Sequence, residues 1–382
     1  MDLNQIYTFN FPTIIRFGKG AILELGKHLL ENNCRRPLIV GDRGICELDF
    51  FLKILESLRL DNLTAATFNE ISKNPVKSDV EKGVRFYQEN DCDSIVGIGG
   101  GASMDVARAI ALGVNHNQDL FSYEEAIGGD KKITEKIPYF VTVPTTSGTG
   151  SEVGRSSVIS DDETHQKKIL FHPSLLAKIV FADPELTMNL PKEITAATGM
   201  DALTHNIEAF LARGFNPLCD GIALEGIRLT GKALSRAVNA PDLESRSMMM
   251  AAALMGAVAF QKGLGVVHSC AHSLSTNLDL HHGLANAIML PYCLDFNFDH
   301  CESKFNTIAS ALTGKDVDGK ELVNIIKDLN SQVGIDSRLG SYNTNESDIE
   351  KLSEVAFADA CHPCNPKSVT FEDFRKIFTK AL

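Results

Sequence analysis

Ser94-Ile95-Val96-Gly97-Ile98-Gly99-Gly100-Gly101-Ala102-Ser103-Met104-Asp105 is the stretch that decides the fold of the first half of this chain. An Ile/Val run enters three consecutive glycines and then an alanine-rich helical segment, the order strand, tight turn, helix of a βα unit. Glycines there let backbone N–H groups approach a phosphate at the positive end of the helix. No Gly-Lys-Ser/Thr follows, so the turn is not a nucleoside-triphosphate P-loop, and a dinucleotide pyrophosphate is the better guest. A ligand-free βα turn has the same composition, so the motif alone leaves both readings open.

Outward from this turn, β-branched runs at 37–40, 139–143 and 179–182 alternate with helical segments near 20–32, 46–58, 78–90 and 103–113. That alternation predicts a mainly parallel sheet covered on both faces. After residue 190 the periodicity is helical almost throughout, at 192–212, 217–238, 243–260, 266–278, 283–296, 301–312, 319–333 and 371–381. With 382 residues, too many for one ordinary core, the chain reads as two domains, an α/β domain over 1–188 and an all-helical domain over 189–382.

Composition excludes several classes of function. A net charge of -12, with no concentrated basic patch, argues against nucleic acid and anionic membranes as partners. The longest uncharged apolar run, Met248 to Phe260, is shorter than a bilayer span and reads as a buried helix. Met1-Asp2-Leu3-Asn4-Gln5 lacks the basic start and apolar stretch of a secretory signal, and nine scattered cysteines suit a reducing compartment, so a cytoplasmic location is expected.

Two further features bear on a dinucleotide. Asp42 ends the first strand, where a carboxylate can accept from ribose hydroxyls and repel a 2′-phosphate, favouring NAD over NADP. It stands 57 residues before Gly99 rather than after the glycines, so a standard Rossmann arrangement is not expected. Pro144-Thr145-Thr146-Ser147-Gly148-Thr149-Gly150-Ser151-Glu152 follows another strand and offers hydroxyl donors and close backbone approach, as a second wall of a cofactor site or as a plain capped loop.

The densest chemistry lies in the helical half. Asp201 and His205 are spaced i, i+4, and so are His268 and His272, while His281-His282-Gly283 begins nine residues later in chain order. Each i, i+4 pair projects from one helical face a turn apart and can grip one ion. Imidazoles with a carboxylate suit Fe²⁺ or Zn²⁺ rather than Mg²⁺ or Ca²⁺. Spacing does not say which imidazoles bind. Cys361-His362-Pro363-Cys364 lacks both a thioredoxin-like context and the second pair of a zinc ribbon, and is read as wall rather than redox centre.

Gly99 to Asp105, Pro144 to Glu152, Gly199-Met200-Asp201-Ala202-Leu203-Thr204-His205 and Gly263-Leu264-Gly265-Val266-Val267-His268-Ser269-Cys270-Ala271-His272 resemble the iron-containing (group III) alcohol dehydrogenases. The resemblance runs from Phe11-Pro12-Thr13 and Phe17-Gly18-Lys19-Gly20 to Asn365-Pro366-Lys367. It implies a dinucleotide-binding α/β domain, a helical metal-binding domain and an active site in the cleft between them. By position it implies Asp201, His205, His268 and His282 as metal ligands and His272 as an unligated residue beside the nicotinamide. Gly99, Gly100, Gly101 and Ser103 fall at the pyrophosphate with Asp105 near them, Asp42 at the adenosine ribose, and Thr145, Thr146, Thr149 and Lys167 along the cofactor. Ala102 replaces the family's usual serine, and His281 its usual proline, which adds a rival ligand.

These readings converge on reversible NAD-linked oxidation of a small primary alcohol to its aldehyde. The metal, Fe²⁺ first and Zn²⁺ second, acts as Lewis acid and His272 relays the proton. The resemblance also implies a homodimer or higher homo-oligomer. Other classes are a metal-dependent hydrolase or lyase, and a non-catalytic nucleotide-binding module. The stretches 215–224, 260–263 and His281-His282-Gly283 resemble the 4-hydroxybutyrate dehydrogenase branch in particular. Arg155 and Lys262 are expected to face the cleft and hold a substrate carboxylate there. A general short-chain alcohol, lactaldehyde or propanediol dehydrogenase is the alternative.

Overall fold

The computed structural model describes residues 13–382; Met1–Gln5 and the Phe11-Pro12 portion of the opening motif lie outside the described residues. The chain divides into two units: one runs to Thr146 and again over Ser151–Thr187, and the other is Ser147–Gly150 with Met188–Leu382.

The first unit is built on β1 (Ile14–Phe17), α1 (Leu25–Glu31), β2 (Pro37–Val40), α2 (Arg43–Cys46), α3 (Asp49–Leu60), β3 (Ala66–Phe68), α4 (Lys77–Glu89), β4 (Ser94–Gly99), α5 (Gly101–Asn115), β5 (Tyr139–Pro144), β6 (Ser156–Ser160), β7 (Lys167–Phe171) and β8 (Ile179–Ala182). Six strands form one sheet in the order β1-β8-β5-β4-β2-β3, every neighbouring pair parallel. β2, β4 and β8 are buried at every position, as expected of a sheet covered on both sides. Leu38, Val40 and Ile95 pack on one face with Val80 of α4 and Val106 and Ile110 of α5; Ile39, Val96, Ile98 and Val141 pack on the other with Leu29 of α1 and Phe51 and Leu58 of α3. The antiparallel hairpin β6-β7 lies outside the predicted strands, because Ser156-Ser157-Val158-Ile159-Ser160 offers only two apolar residues to signal it.

The second unit holds α6 (Lys192–Leu211), α7 (Pro217–Asn239), α8 (Leu243–Ala259), α9 (Val266–Leu278), α10 (His282–Thr313), α11 (Leu322–Gln332), α12 (Ile349–Phe357) and α13 (Phe371–Ala381). Seventeen of the residues of α6 are buried, so it is the central helix of this unit. The expected helices at 283–296 and 301–312 are one segment, α10, broken only by the non-helical backbone of Cys301. Pro291 sits inside α10 and cannot donate to the carbonyl of Ala287. That carbonyl accepts instead from Asn330 Nδ2 at 2.7 Å. Among the described residues no single helix is long and apolar enough to cross a membrane.

Candidate metal centre and cofactor edge

In the α/β unit the chain passes from β2 to edge strand β3 and then returns to the other side of β2 as β4. Strand order therefore reverses between β2 and β4, and in open α/β sheets ligands bind outside the carboxyl ends of the strands at such a point. Asp42 and Gly99–Gly101 occupy those two ends. The 57-residue gap in sequence is thus a neighbour relation in space. Asp42 N donates to Ser103 Oγ at 3.2 Å, and its carboxylate accepts from Ile45 N at 3.1 Å as the cap of α2. α5 begins at Gly101 with Gly100 as its N-cap and no side-chain cap, which leaves its first N–H groups open to an anion. Gly99 has φ of 148°, a glycine conformation, and a Cβ there would lie 2.5 Å from Ser103 Oγ. Thr145 N donates to Gly99 O at 3.0 Å, so the hydroxyl turn starts beside the glycine turn.

The remaining cofactor candidates are placed differently. Asp105, expected beside the glycines, turns inward: its carboxylate accepts from Ser151 Oγ at 2.8 Å, Arg108 at 3.2 Å and Val158 N at 3.2 Å. Arg108 is fully buried, and with Asp105 it braces α5 against β6. Burial pushes the Asp105 carboxyl up while Arg108 pulls it down, with a net rise. Lys167, at the start of β7, is exposed and acts on Asp105 through its charge. Thr149 groups with the helical unit, where Gly150, with φ of 62°, is pressed against Ala257 and Ala253 of α8. Arg155 lies over the Phe171 ring with its guanidinium carbon 5.5 Å from the centroid.

In the helical unit, Asp201 and His205 come from α6, His268 from α9 and His282 from the first turn of α10, and one ligand atom from each lies within 4.8 Å of all the others. Gly283 permits this approach, since a Cβ there would meet Ala197 O at 2.3 Å; the glycine lets the start of α10 lie against α6 and sets His282 Nε2 3.5 Å from Asp201 Oδ1. His281 is the exposed N-cap of α10 and lies outside this group. Asn286 Nδ2 sits among the donors, 2.7 Å from Asp201 Oδ1, 3.3 Å from His268 Nε2 and 3.2 Å from His282 Nε2. An amide has two hydrogens and cannot serve three acceptors, so the lone pairs that converge here outnumber the hydrogen-bond donors. A divalent cation fits that surplus.

The electrostatics agree. Burial lowers the His205 imidazole to about 4, keeping it neutral with a lone pair at neutral pH. Burial alone would raise Asp201, but His205, His282 and His268 together hold it below the usual carboxylate value. His268 Nδ1 shares a 2.5 Å hydrogen bond with Glu208, which turns Nε2 toward the cluster. Burial pushes this imidazole down and Glu208 pushes it up further, so His268 is a more basic donor. His272, one turn along α9, belongs to a different group: its Nδ1 is 2.8 Å from Asp359 Oδ2, and its ring stacks on His282 at 5.3 Å.

Residues 12–184 match the family described as iron-containing alcohol dehydrogenase, and residues 195–382 match the C-terminal part of the Fe-containing alcohol dehydrogenase family. The chain belongs to the iron-containing alcohol dehydrogenases. It is 37% identical to the 4-hydroxybutyrate dehydrogenase of Cupriavidus necator, covering 97% of this chain and 99% of that one. It is 32% identical to the NAD-dependent methanol dehydrogenase of Bacillus methanolicus, with 98% and 99% covered. Among solved structures it resembles 1,3-propanediol oxidoreductase, with a TM-score of 0.95 at 32% identity over 99% of this chain and all (100%) of that one. The chain is accordingly an alcohol-aldehyde oxidoreductase of a metal-binding family.

Three hydrogen-bond partners of the candidate site in this iron-type dehydrogenase escaped the sequence reading. Glu208 follows Asp201 by seven residues on one face of α6, and Asn286 follows His282 by four on α10, so helical spacing carried a signal for both. Asp359 carried none, because 87 residues separate it from His272. Lys262 is not the open charge expected of it: Nζ pairs with Asp220 and donates to Phe210 O at 3.1 Å, with only 2% of the side chain exposed. It lies two residues from Phe260, whose ring is 5.1 Å from that of His205.

Proposed function

We propose that this enzyme interconverts 4-hydroxybutyrate and succinic semialdehyde with NAD(H), on an Fe²⁺ held by Asp201, His205, His268 and His282; the same donors suit Zn²⁺. In this reading residues 1–188 serve the dinucleotide and 189–382 the metal and alcohol. The observation that carries it is the convergence of those four side chains on a donor-poor pocket, with the glycine turn and Asp42 at the switch point of the sheet supporting NAD. An ion held by these four residues would supply Lewis acidity, which lowers the pKa of an alcohol hydroxyl.

The chain's own residues do the rest. Glu208 holds the His268 tautomer that presents Nε2. Asp359 holds Nδ1–H of His272, leaving Nε2 as the basic nitrogen that accepts the alcohol proton. The open N–H groups of α5 receive pyrophosphate, and Asp42 accepts from the ribose and repels a 2′-phosphate.

Similarity to the Cupriavidus protein supports the ω-hydroxy acid, and Arg155 is the cation proposed to hold its carboxylate, Lys262 being already paired with Asp220. The pairing of Lys262 favours the second reading, a dehydrogenase of neutral short-chain alcohols such as 1,3-propanediol. Steady-state kinetics decide between them. 4-Hydroxybutyrate should be oxidised with a higher kcat/KM than 1-butanol, and with NAD in preference to NADP. Arg155→Ala should remove most of that advantage, about tenfold or more for a charged hydrogen bond, and leave butanol oxidation unchanged. Equal kcat/KM for the two alcohols in the wild type would return the assignment to a general alcohol dehydrogenase.

A further inference from the structure

Beside the cluster already described, a second set of unlike donors meets in the helical unit. A ring nitrogen of His272, a carboxylate oxygen of Asp359 and Cys361 Sγ lie within 4.8 Å of one another, and His272 Nδ1 is the nitrogen that faces Asp359, 2.8 Å from Oδ2. The three come from α9 and from the segment just after α12, and they are held in place independently of any ion. Asp359 Oδ1 accepts from Ser269 Oγ at 2.8 Å and from Cys361 N at 2.9 Å, and Ser269 Oγ in turn accepts from His362 N at 3.0 Å. His272 keeps 32% of its side chain exposed and Asp359 18%, so an ion from solvent has a way in.

From this geometry we infer that His272, Asp359 and Cys361 form a second, inhibitory site for a thiophilic divalent cation such as Zn²⁺ or Cd²⁺. One imidazole, one carboxylate and one thiolate are a zinc-type donor set with the fourth position open, whereas Mg²⁺ and Ca²⁺ do not select sulfur. The primary cluster contains no sulfur, so the softer the ion, the more it prefers the second site.

Occupancy has a defined chemical consequence. Without the second ion, His272 carries its proton on Nδ1, facing Asp359, and Nε2 has the lone pair. Binding forms a bond from the ion to Cys361 Sγ and releases the thiol proton to solvent. It also forms a bond to His272 Nδ1, and the proton there relocates to Nε2. The imidazole stays neutral but becomes a donor where a base is needed. This inhibitory effect rests on the proposed role of His272 as proton acceptor; the site itself does not.

The test is a Cd²⁺ titration of the holoenzyme with its primary site already filled, followed through the ultraviolet charge-transfer absorption of a cadmium-thiolate bond. One further equivalent should bind with that band, Cys361→Ser and Cys361→Ala should lose both band and equivalent while keeping the primary metal, and Cys364→Ser should keep them. Saturating Zn²⁺ should lower kcat by about a hundredfold or more, the scale of general-base catalysis, reversibly with chelator. The Cys361 variants should retain basal activity and resist. Binding without the thiolate band, or an unchanged band in both Cys361 variants, would overturn the site. A second ion bound through Cys361 with no loss of kcat would uphold the site and overturn the proton role of His272.

Discussion

His268 and His272 stand one turn apart on the same helix and each gives its Nδ1 to a carboxylate, Glu208 in one case and Asp359 in the other. The difference lies in what surrounds them. His268 is buried with Asp201 and His205 and faces the part-exposed His282, whereas His272 is part-exposed and lies outside that cluster. His268→Ala and His282→Ala should each lose both bound metal and turnover. His272→Ala should keep its metal and lose on the order of a hundredfold or more in kcat. Metal content of the three purified variants, measured beside their kcat, separates the roles, and metal loss confined to His272→Ala would reverse the assignment. The i, i+4 spacing made His268 and His272 visible in the sequence and the family resemblance singled out His282, which in the fold lies 3.5 Å from Asp201 while His281, its neighbour in the chain, falls outside the cluster.

At the scale of elements, the fold repairs at a distance what the sequence breaks locally. Pro291 should end a helix, yet α10 continues because Asn330, fully buried on α11, donates to the carbonyl that the proline leaves unserved. Asn330→Ala should therefore strand a buried acceptor and lower stability by about 1–3 kcal/mol, seen as a lower urea midpoint at unchanged m-value. An unchanged midpoint would mean that Ala287 O finds another donor. Strands β2, β4, β5 and β8 were legible as apolar runs of four or more residues. β3 was not, being three residues long, and the serine-rich β6 was not, because its place is set by pairing with β7 and by Ser157 Oγ donating to Asp105 O at 2.7 Å.

For the molecule as a whole, the candidate metal cluster draws its side chains from three helices, so the affinity of an ion bound there becomes folding stability. Free metal at about a thousand times its dissociation constant should add about 4 kcal/mol. A chelator should thus lower the thermal midpoint markedly, and Asp201→Ala should abolish the response; a metal-dependent shift surviving in that variant would place the ion elsewhere. The class of fold followed from sequence alone, since the period of apolar residues changes near residue 190 from strand-and-helix alternation to helix, and periodicity is a local property. So did the glycine turn and the histidine pairs, whose partners lie within one helical turn. Strand order, the meeting of Asp42 with Ser103, the pairing of Lys262 with Asp220 and the attachment of Asp359 to His272 belong to the tertiary structure. Those contacts join residues 42 to 87 positions apart, and no local pattern of apolar and polar residues encodes which distant polar group will answer which.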